Sequence, residues 1–243
     1  MAEIKFSTSE RYIDVVPHPY PAKKNLPNWF RRIEENMAFA KEPKRLSRSW
    51  IKHVSLRTIK GCFPVRDYMT SGYIIPLWMD LGIAKDERGR FRQQIKGDEK
   101  DPMFQEIGLG WQDAKQVKGS PFTQFTDGEK LPKLHNPWHI QTPKGYSTLF
   151  FSPFYHESDI AILPAIADTD SYDMPVNFPF VMMNDNVGVP IGTPVVQAVP
   201  FKRENWKMSV SVRTEKNIED AGRRTMLTRR SPYNAIWTKK GYN

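Results

Sequence analysis

Residues Asn136–Trp206 read NPWHIQTPKGYSTLFFSPFYHESDIAILPAIADTDSYDMPVNFPFVMMNDNVGVPIGTPVVQAVPFKRENW, and this stretch decides the fold class. Its apolar runs have the length of strands and are separated by Gly, Pro, Asn and Asp, the punctuation of an antiparallel β fold. No run is long or periodic enough for a helix. Five strands are predicted: Trp138–Gln141, Tyr146–Ser152, Ile160–Ile166, Phe178–Met183 and Val195–Pro200. GVPIGTPVVQAVPF repeats Gly-x-Pro before an apolar run, a tight turn delivering the chain into a buried strand.

Towards the N-terminus the signals continue. Gly72–Ile83, GYIIPLWMDLGI, reads as a buried strand interrupted by Pro76, where a missing ladder donor implies a bulge or an edge. Lys85–Asp101 predicts a hairpin around Gly89, anchored by Phe91 and Ile95. Residues 102–135 give mixed signals. Trp50–Ile59 alternates as a strand, and Lys60–Ser71 reads as a turn or helical turn. Leu26, Phe30, Ile33 and Met37 recur at helical spacing, so a helix is predicted over Leu26–Ala40. Before it, Tyr12, Ile13, Val15 and Val16 precede Pro17-His18-Pro19-Tyr20-Pro21. That pattern predicts an edge strand leading into an extended arm, since alternating prolines remove ladder donors.

Towards the C-terminus, Met208–Arg213 alternates as MSVSVR and predicts a last strand. A short helix is expected around Ile218–Met226, stopped by Ser231-Pro232. There is no internal repeat and no low-complexity linker. The expectation is one β-rich domain over residues 1–243, with an N-terminal arm plus helix (about 1–45) and a basic tail (about 214–243). Its fold class is mainly β, a jelly-roll-like sandwich or flattened barrel with one or two peripheral helices.

Composition bounds the function. With 39% hydrophobic and 26% charged residues the chain is globular. Charge is uneven. Residues 1–50 carry 10 basic and 6 acidic groups (+4), residues 51–201 carry 15 and 17 (−2), and residues 202–243 carry 11 and 4 (+7). A basic tail on a neutral body can meet nucleic acid or an acidic partner, or it can be a solvated or subunit-contacting extension. Cys62 is the one cysteine, which excludes an intrachain disulfide and fits a reducing compartment. The sequence suggests neither a signal peptide nor a membrane span, so synthesis in a cytoplasm is expected.

The candidate sites each have a bland reading beside a sharp one. His135 and His139 stand four apart, but Pro137 between them argues against the helix that would aim both at one metal. No metal and no cofactor is expected. Asp168, Asp170 and Asp173, in ADTDSYD, are cation ligands, an acid/base pair, or caps of a local Asx-rich loop. Arg203 and Glu204 follow a buried strand, either as an ion pair at its exit or with Arg203 recognising an anion. Trp78, Trp138, Tyr146 and Trp206 are core anchors or an aromatic platform for a sugar. Cys62 has no charged neighbour in sequence, and there is no P-loop, dinucleotide fingerprint or serine elbow. In the tail, Arg223, Arg224, Arg229 and Arg230 surround Met226 and Leu227, with Ile236 and Trp237 following. Apolar content of that kind suits docking into a neighbouring subunit better than phosphate neutralisation.

Together, KGCFPVRD, GYIIPLWMD, NPWHIQTPKGYSTLF, ADTDSYDMPVNFPF and GTPVVQAVPFKRE resemble a protein family of tailed bacteriophages, especially phages of marine cyanobacteria and related hosts, also present in some bacteria. The likeness spans residues 55–206; Phe63 departs from it, standing between Cys62 and Pro64 where the family has Cys-Pro. The family has no assigned activity, so the resemblance transfers no catalytic residue. It implies a phage context and a compact β fold, and marks Asp67, Trp78, Asp80, Tyr146, Asp170 and Arg203 for structure or binding. The resulting expectation is a non-enzymatic virion component, made in the host cytoplasm and then part of the particle. Its partners would be other phage structural proteins or further copies of itself, with no membrane. A cupin-like enzyme or carbohydrate-binding module is the alternative, and nucleic-acid binding through the tail a further one.

Overall fold

The structure is a computed structural model that describes residues 2–35, 58–94 and 106–220. The chain divides into two compact units, residues 1–33 with 68–203 and residues 34–67 with 204–243. All fourteen strands among the described residues lie in the first unit, and every ladder between them is antiparallel.

In chain order the strands are β1 (Lys5–Ser7), β2 (Tyr20–Pro21), β3 (Tyr73–Pro76), β4 (Leu81–Lys85), β5 (Phe91–Gln93), β6 (Leu109–Asp113) and β7 (Lys130–Leu134). They continue with β8 (His139–Gln141), β9 (Tyr146–Phe151), β10 (Ile160–Ile162), β11 (Ala165–Ala167), β12 (Phe178–Met182), β13 (Asn186–Val189) and β14 (Pro194–Lys202). A five-stranded sheet has the order β11-β9-β14-β3-β2 and a four-stranded one β10-β12-β7-β6; β13-β4-β5 and the pair β1-β8 complete the unit. Among the described residues no sheet closes into a barrel.

The two larger sheets share one core. Strand alternation turns Phe150, Val196 and Ala198 of the five-stranded sheet inward, each fully buried, to meet Leu134, Phe178 and Phe180 of the four-stranded one. Phe150 and Phe178 pack with ring centroids 5.5 Å apart. Burying side chains of this size contributes about 1.5–3 kcal/mol each, so this unit holds itself together by its sandwich core. The mainly β class and the sandwich form of the expectation therefore hold.

Two predicted strands each divide in two, at or just before a proline. Gly72–Ile83 becomes β3 and β4, in different sheets, with Pro76 ending the first and the β14 register shifting opposite it. Ile160–Ile166 becomes β10, paired with β12, and β11, paired with β9; Pro164 lies in the two-residue link. Proline offers no N–H to a ladder, so the chain changes sheets there. The Gly89 hairpin forms as β4–β5 with Phe91 buried; Ile95 lies outside the described residues.

Other expectations need correction. Tyr12–Val16 is a series of turns rather than an edge strand, with Val16 N–H donating to the Tyr12 carbonyl at 3.0 Å. The edge strand falls later, at β2. The helix predicted over Leu26–Ala40 is, where described, the single turn α1 (Asn28–Arg32), because Ile33 is extended (φ −64°, ψ 139°). Lys60–Ser71 contains the helix α2 (Phe63–Thr70). Ile59 lies in a 3-10 turn, and residues 51–57 of that predicted strand lie outside the described residues. Met208–Arg213 pairs with no strand among the described residues. Its alternation is that of a strand, but a strand also needs a neighbouring backbone to bond.

In the second unit Thr58 N–H donates to the Glu35 carbonyl at 2.9 Å, and residues 215–220 are helical. The tail positions Arg223, Arg224, Arg229, Arg230, Ile236 and Trp237 lie outside the described residues. Among the described residues no helix is long and apolar enough to cross a membrane.

Candidate functional site

Four of the residues singled out in the sequence meet at one corner of the five-stranded sheet: Tyr146, Asp168, Asp170 and Arg203. Local structure explains why. The turn that leads from β8 into β9 passes through Gly145, whose φ of +87° favours glycine. The loop after β11 brings residues 168–170 against that turn, and β14 ends beside it with Arg203 N–H donating to the Gly145 carbonyl at 2.8 Å.

Arg203 is held from three sides. Its Nη1 donates to the Tyr146 carbonyl at 3.0 Å, to Ser147 Oγ at 2.9 Å and to Asp170 Oδ1 at 3.0 Å, while Nη2 donates to Asp170 Oδ2. This is the bidentate fork by which guanidinium binds carboxylate. Nη1 also lies 3.1 Å from Asp168 Oδ1. Asp170 Oδ2 accepts from Gly145 N–H at 2.7 Å, and its side chain is 5% exposed. The guanidinium, and then the Gly145 N–H, pull the Asp170 carboxyl down to about 2 against the opposing effect of burial. The same hydrogen bond pushes the Arg203 pKa up.

Hydroxyls fill in behind the charges. Ser147 Oγ donates to Asp168 Oδ1 at 2.6 Å, and Thr169 Oγ1 lies 2.7 Å from Thr142 Oγ1 and 2.8 Å from Thr148 Oγ1. Ser147, Thr148 and Thr169 are all buried. None of these hydroxyls was picked out in the sequence. The signal available was GYST facing ADTD, hydroxyls and carboxylates on segments whose pairing could not be foreseen.

A cavity of about 400 Å³ opens beside this cluster, lined by Glu3, Lys5, Gln141, Thr142 and Asp170 among others. Chemically the arrangement is a clamp. The Ser147 hydroxyl is engaged by both Asp168 and Arg203, and no histidine touches it. The Arg203 fork is already filled by Asp170.

The remaining sequence candidates lie elsewhere. Trp78 and Trp138 are each 2% exposed, so they anchor the core and leave no open stacking face. Trp78 Nε1 donates to the Ile107 carbonyl, and Trp138 packs edge-on to His18. Glu204 and Trp206 are exposed residues of the second unit. Asp80 accepts from Ile191 N–H at 2.8 Å. His135 packs over Gly110, where an added Cβ would come within 2.3 Å of Nε2, and burial lowers its pKa. His139 Nε2 instead faces Asp173 at 3.3 Å. Among the described residues no group of three or more His, Cys, Asp or Glu side chains is arranged to hold a metal ion. Compared with known proteins, the chain matches no family model and no curated sequence.

Proposed function

We propose that the chain is a non-enzymatic structural protein of bacteriophage type, a virion or assembly component that works through protein–protein contacts. The phage context comes from the sequence resemblance. The observation that carries the contact reading is the segment after β14. Every residue from Arg203 to Glu219 is exposed. Trp206, Met208, Val210 and Val212 are 88%, 87%, 88% and 96% exposed. Four apolar side chains on alternate positions, left in water, mark an interaction site. The Arg203–Asp170 clamp supports the same reading, because its charges are spent on holding β14 to the β8–β9 turn.

The test is the copy number of this chain in purified particles of the virus that encodes it, measured by quantitative mass spectrometry, with sedimentation of the isolated protein over a concentration series. A fixed, many-copy stoichiometry is expected, with association that grows with concentration. Absence from particles together with a monomer at every concentration would overturn the proposal.

A further inference from the structure

We infer that the cavity between the end of β1 and the start of β8 binds one ring of a neutral sugar, a site that goes beyond the assembly reading and does not depend on it. Buried polar side chains are hydrogen-bonded as a rule. Among the described residues three buried side-chain polar atoms have no partner: Thr8 Oγ1, Trp138 Nε1 and His139 Nε2. All three belong to the place where β1 pairs with β8, Ser7 standing opposite His139. His139 Nε2 is 3.3 Å from Asp173 Oδ1 but makes no hydrogen bond to it. Gathered at one place, such atoms call for a partner from outside the chain.

Thr8 and His139 both line a cavity of about 380 Å³, within the range of about 300–1,000 Å³ that small-molecule sites occupy. Ser7 and Ser9, both exposed, add two hydroxyls to the same wall. Each hydroxyl can donate and accept, and the imidazole Nε2 does one or the other according to its tautomer. Pro137 and Pro175 contribute apolar surface.

Charge narrows the ligand. Glu106 is the one acidic residue of the wall, and no Lys or Arg among the described residues lines it. The Glu106 carboxylate already accepts from the Tyr12 hydroxyl, and Arg11 Nη1 lies 3.4 Å from it. A phosphate would meet no cation in this wall, and an ammonium group would meet a carboxylate already matched, so either would lose hydration without compensation. Hydroxyls and an imidazole beside apolar surface suit instead a ring with hydroxyls on its rim and C–H bonds on its faces.

The experiment is an NMR titration of the isotopically labelled full-length chain. The probes are glucose, galactose, mannose and N-acetylglucosamine, each also as its methyl glycoside, with inorganic phosphate and methylammonium as charged controls. At least one neutral sugar should shift the amide signals of Thr8, Ser9 and His139 saturably, and neither control should. Equal binding of the methyl glycoside would assign the site to the end of a glycan chain, and binding of the free sugar alone to a soluble monosaccharide; either result supports the proposal. No saturable shift at those residues with any sugar would overturn it, as would tighter binding of phosphate or methylammonium.

One substitution separates ligand binding from a structural role. Thr8→Val keeps the shape of the side chain and removes the hydroxyl. A buried hydroxyl without a partner does not stabilise the free protein, so this variant should melt at or above wild type. Its affinity for the sugar should fall about threefold to tenfold, the worth of one neutral hydrogen bond. Ser209→Ala, on the exposed segment after β14, should bind as wild type does. A lower melting temperature for Thr8→Val with unchanged affinity would overturn the proposal, because the hydroxyl would then be bonded in the free protein and serve the fold.

Discussion

Gln197 is the most revealing single residue to change. It sits on β14, 1% exposed, with its amide donating to the Tyr68 and Ser71 carbonyls at 2.8 Å each. The end of α2 is thereby fixed to the five-stranded sheet. Gln197→Leu keeps the volume and removes both donors, but the two carbonyls do not suffer equally. Tyr68 O retains Ser71 Oγ, which donates at 3.0 Å. Losing one bond from a still-partnered carbonyl costs about 0.5–1.5 kcal/mol, and orphaning Ser71 O costs about 1–3 kcal/mol. The expected total is about 2–4 kcal/mol, a fall in melting temperature of roughly 5–15 °C for a chain of this size. Urea unfolding followed by tryptophan fluorescence measures it. Adding Ser71→Ala should then cost more in the Gln197→Leu variant than in wild type, since it removes the last side-chain donor to Tyr68 O. Stability of Gln197→Leu within about 0.5 kcal/mol of wild type would refute the reasoning, because both carbonyls would have found water.

Three further outcomes are expected. The Asp170 pKa is held down at about 2 by Arg203, below the usual value near 4. Its contribution to stability is therefore complete above roughly pH 4 and is lost as pH falls towards 2; Asp170→Asn should flatten the melting temperature over that window, and an unchanged slope would count against the clamp. Gly72→Ala should destabilise by about 2 kcal/mol or more, since φ is +67° and the new Cβ would lie 2.2 Å from the Ala198 carbonyl oxygen; Gly89→Ala, at φ +74° in open space, should cost about 1 kcal/mol, and equal losses in a melting comparison would undo the argument. Phe150→Ala empties a fully buried site in the sandwich core and should cost about 3–5 kcal/mol in the same urea assay, a loss under about 1 kcal/mol being incompatible with that packing.

Strands bounded by turn residues were legible in the sequence. Tyr146–Phe151 and Phe178–Met182 lie within one residue of their predicted limits, because aromatic runs between prolines and glycines have few other solutions. Sheet membership was not legible. Nothing in IAILPAIA states that its halves join different sheets, since pairing is decided by partners far away in sequence. β6 and β7 were equally hidden, as Leu109–Asp113 and Lys130–Leu134 carry weak alternation and are stabilised by each other. MSVSVR failed in the opposite sense, with strand alternation and no ladder among the described residues. At the site, Asp168, Asp170 and Arg203 stood out as charges flanking buried runs. Ser147, Thr148 and Thr169 did not, because a hydroxyl announces nothing until its neighbour is known.

The position of β14 has a mechanical consequence. It lies in the interior of the five-stranded sheet, bonded to β9 from Gln197 to Lys202 and to β3 from Pro194 to Ala198. A load applied to the segment that follows it would enter the sheet along the strand axis. Rungs on both sides would then share the force in shear, where a peripheral strand would peel away one bond at a time. Before it reached the ladder, that load would meet Arg203, braced by Asp170, Ser147 and the Tyr146 carbonyl. A pull on the segment after β14 would therefore be borne by the sheet without unravelling the sandwich behind it.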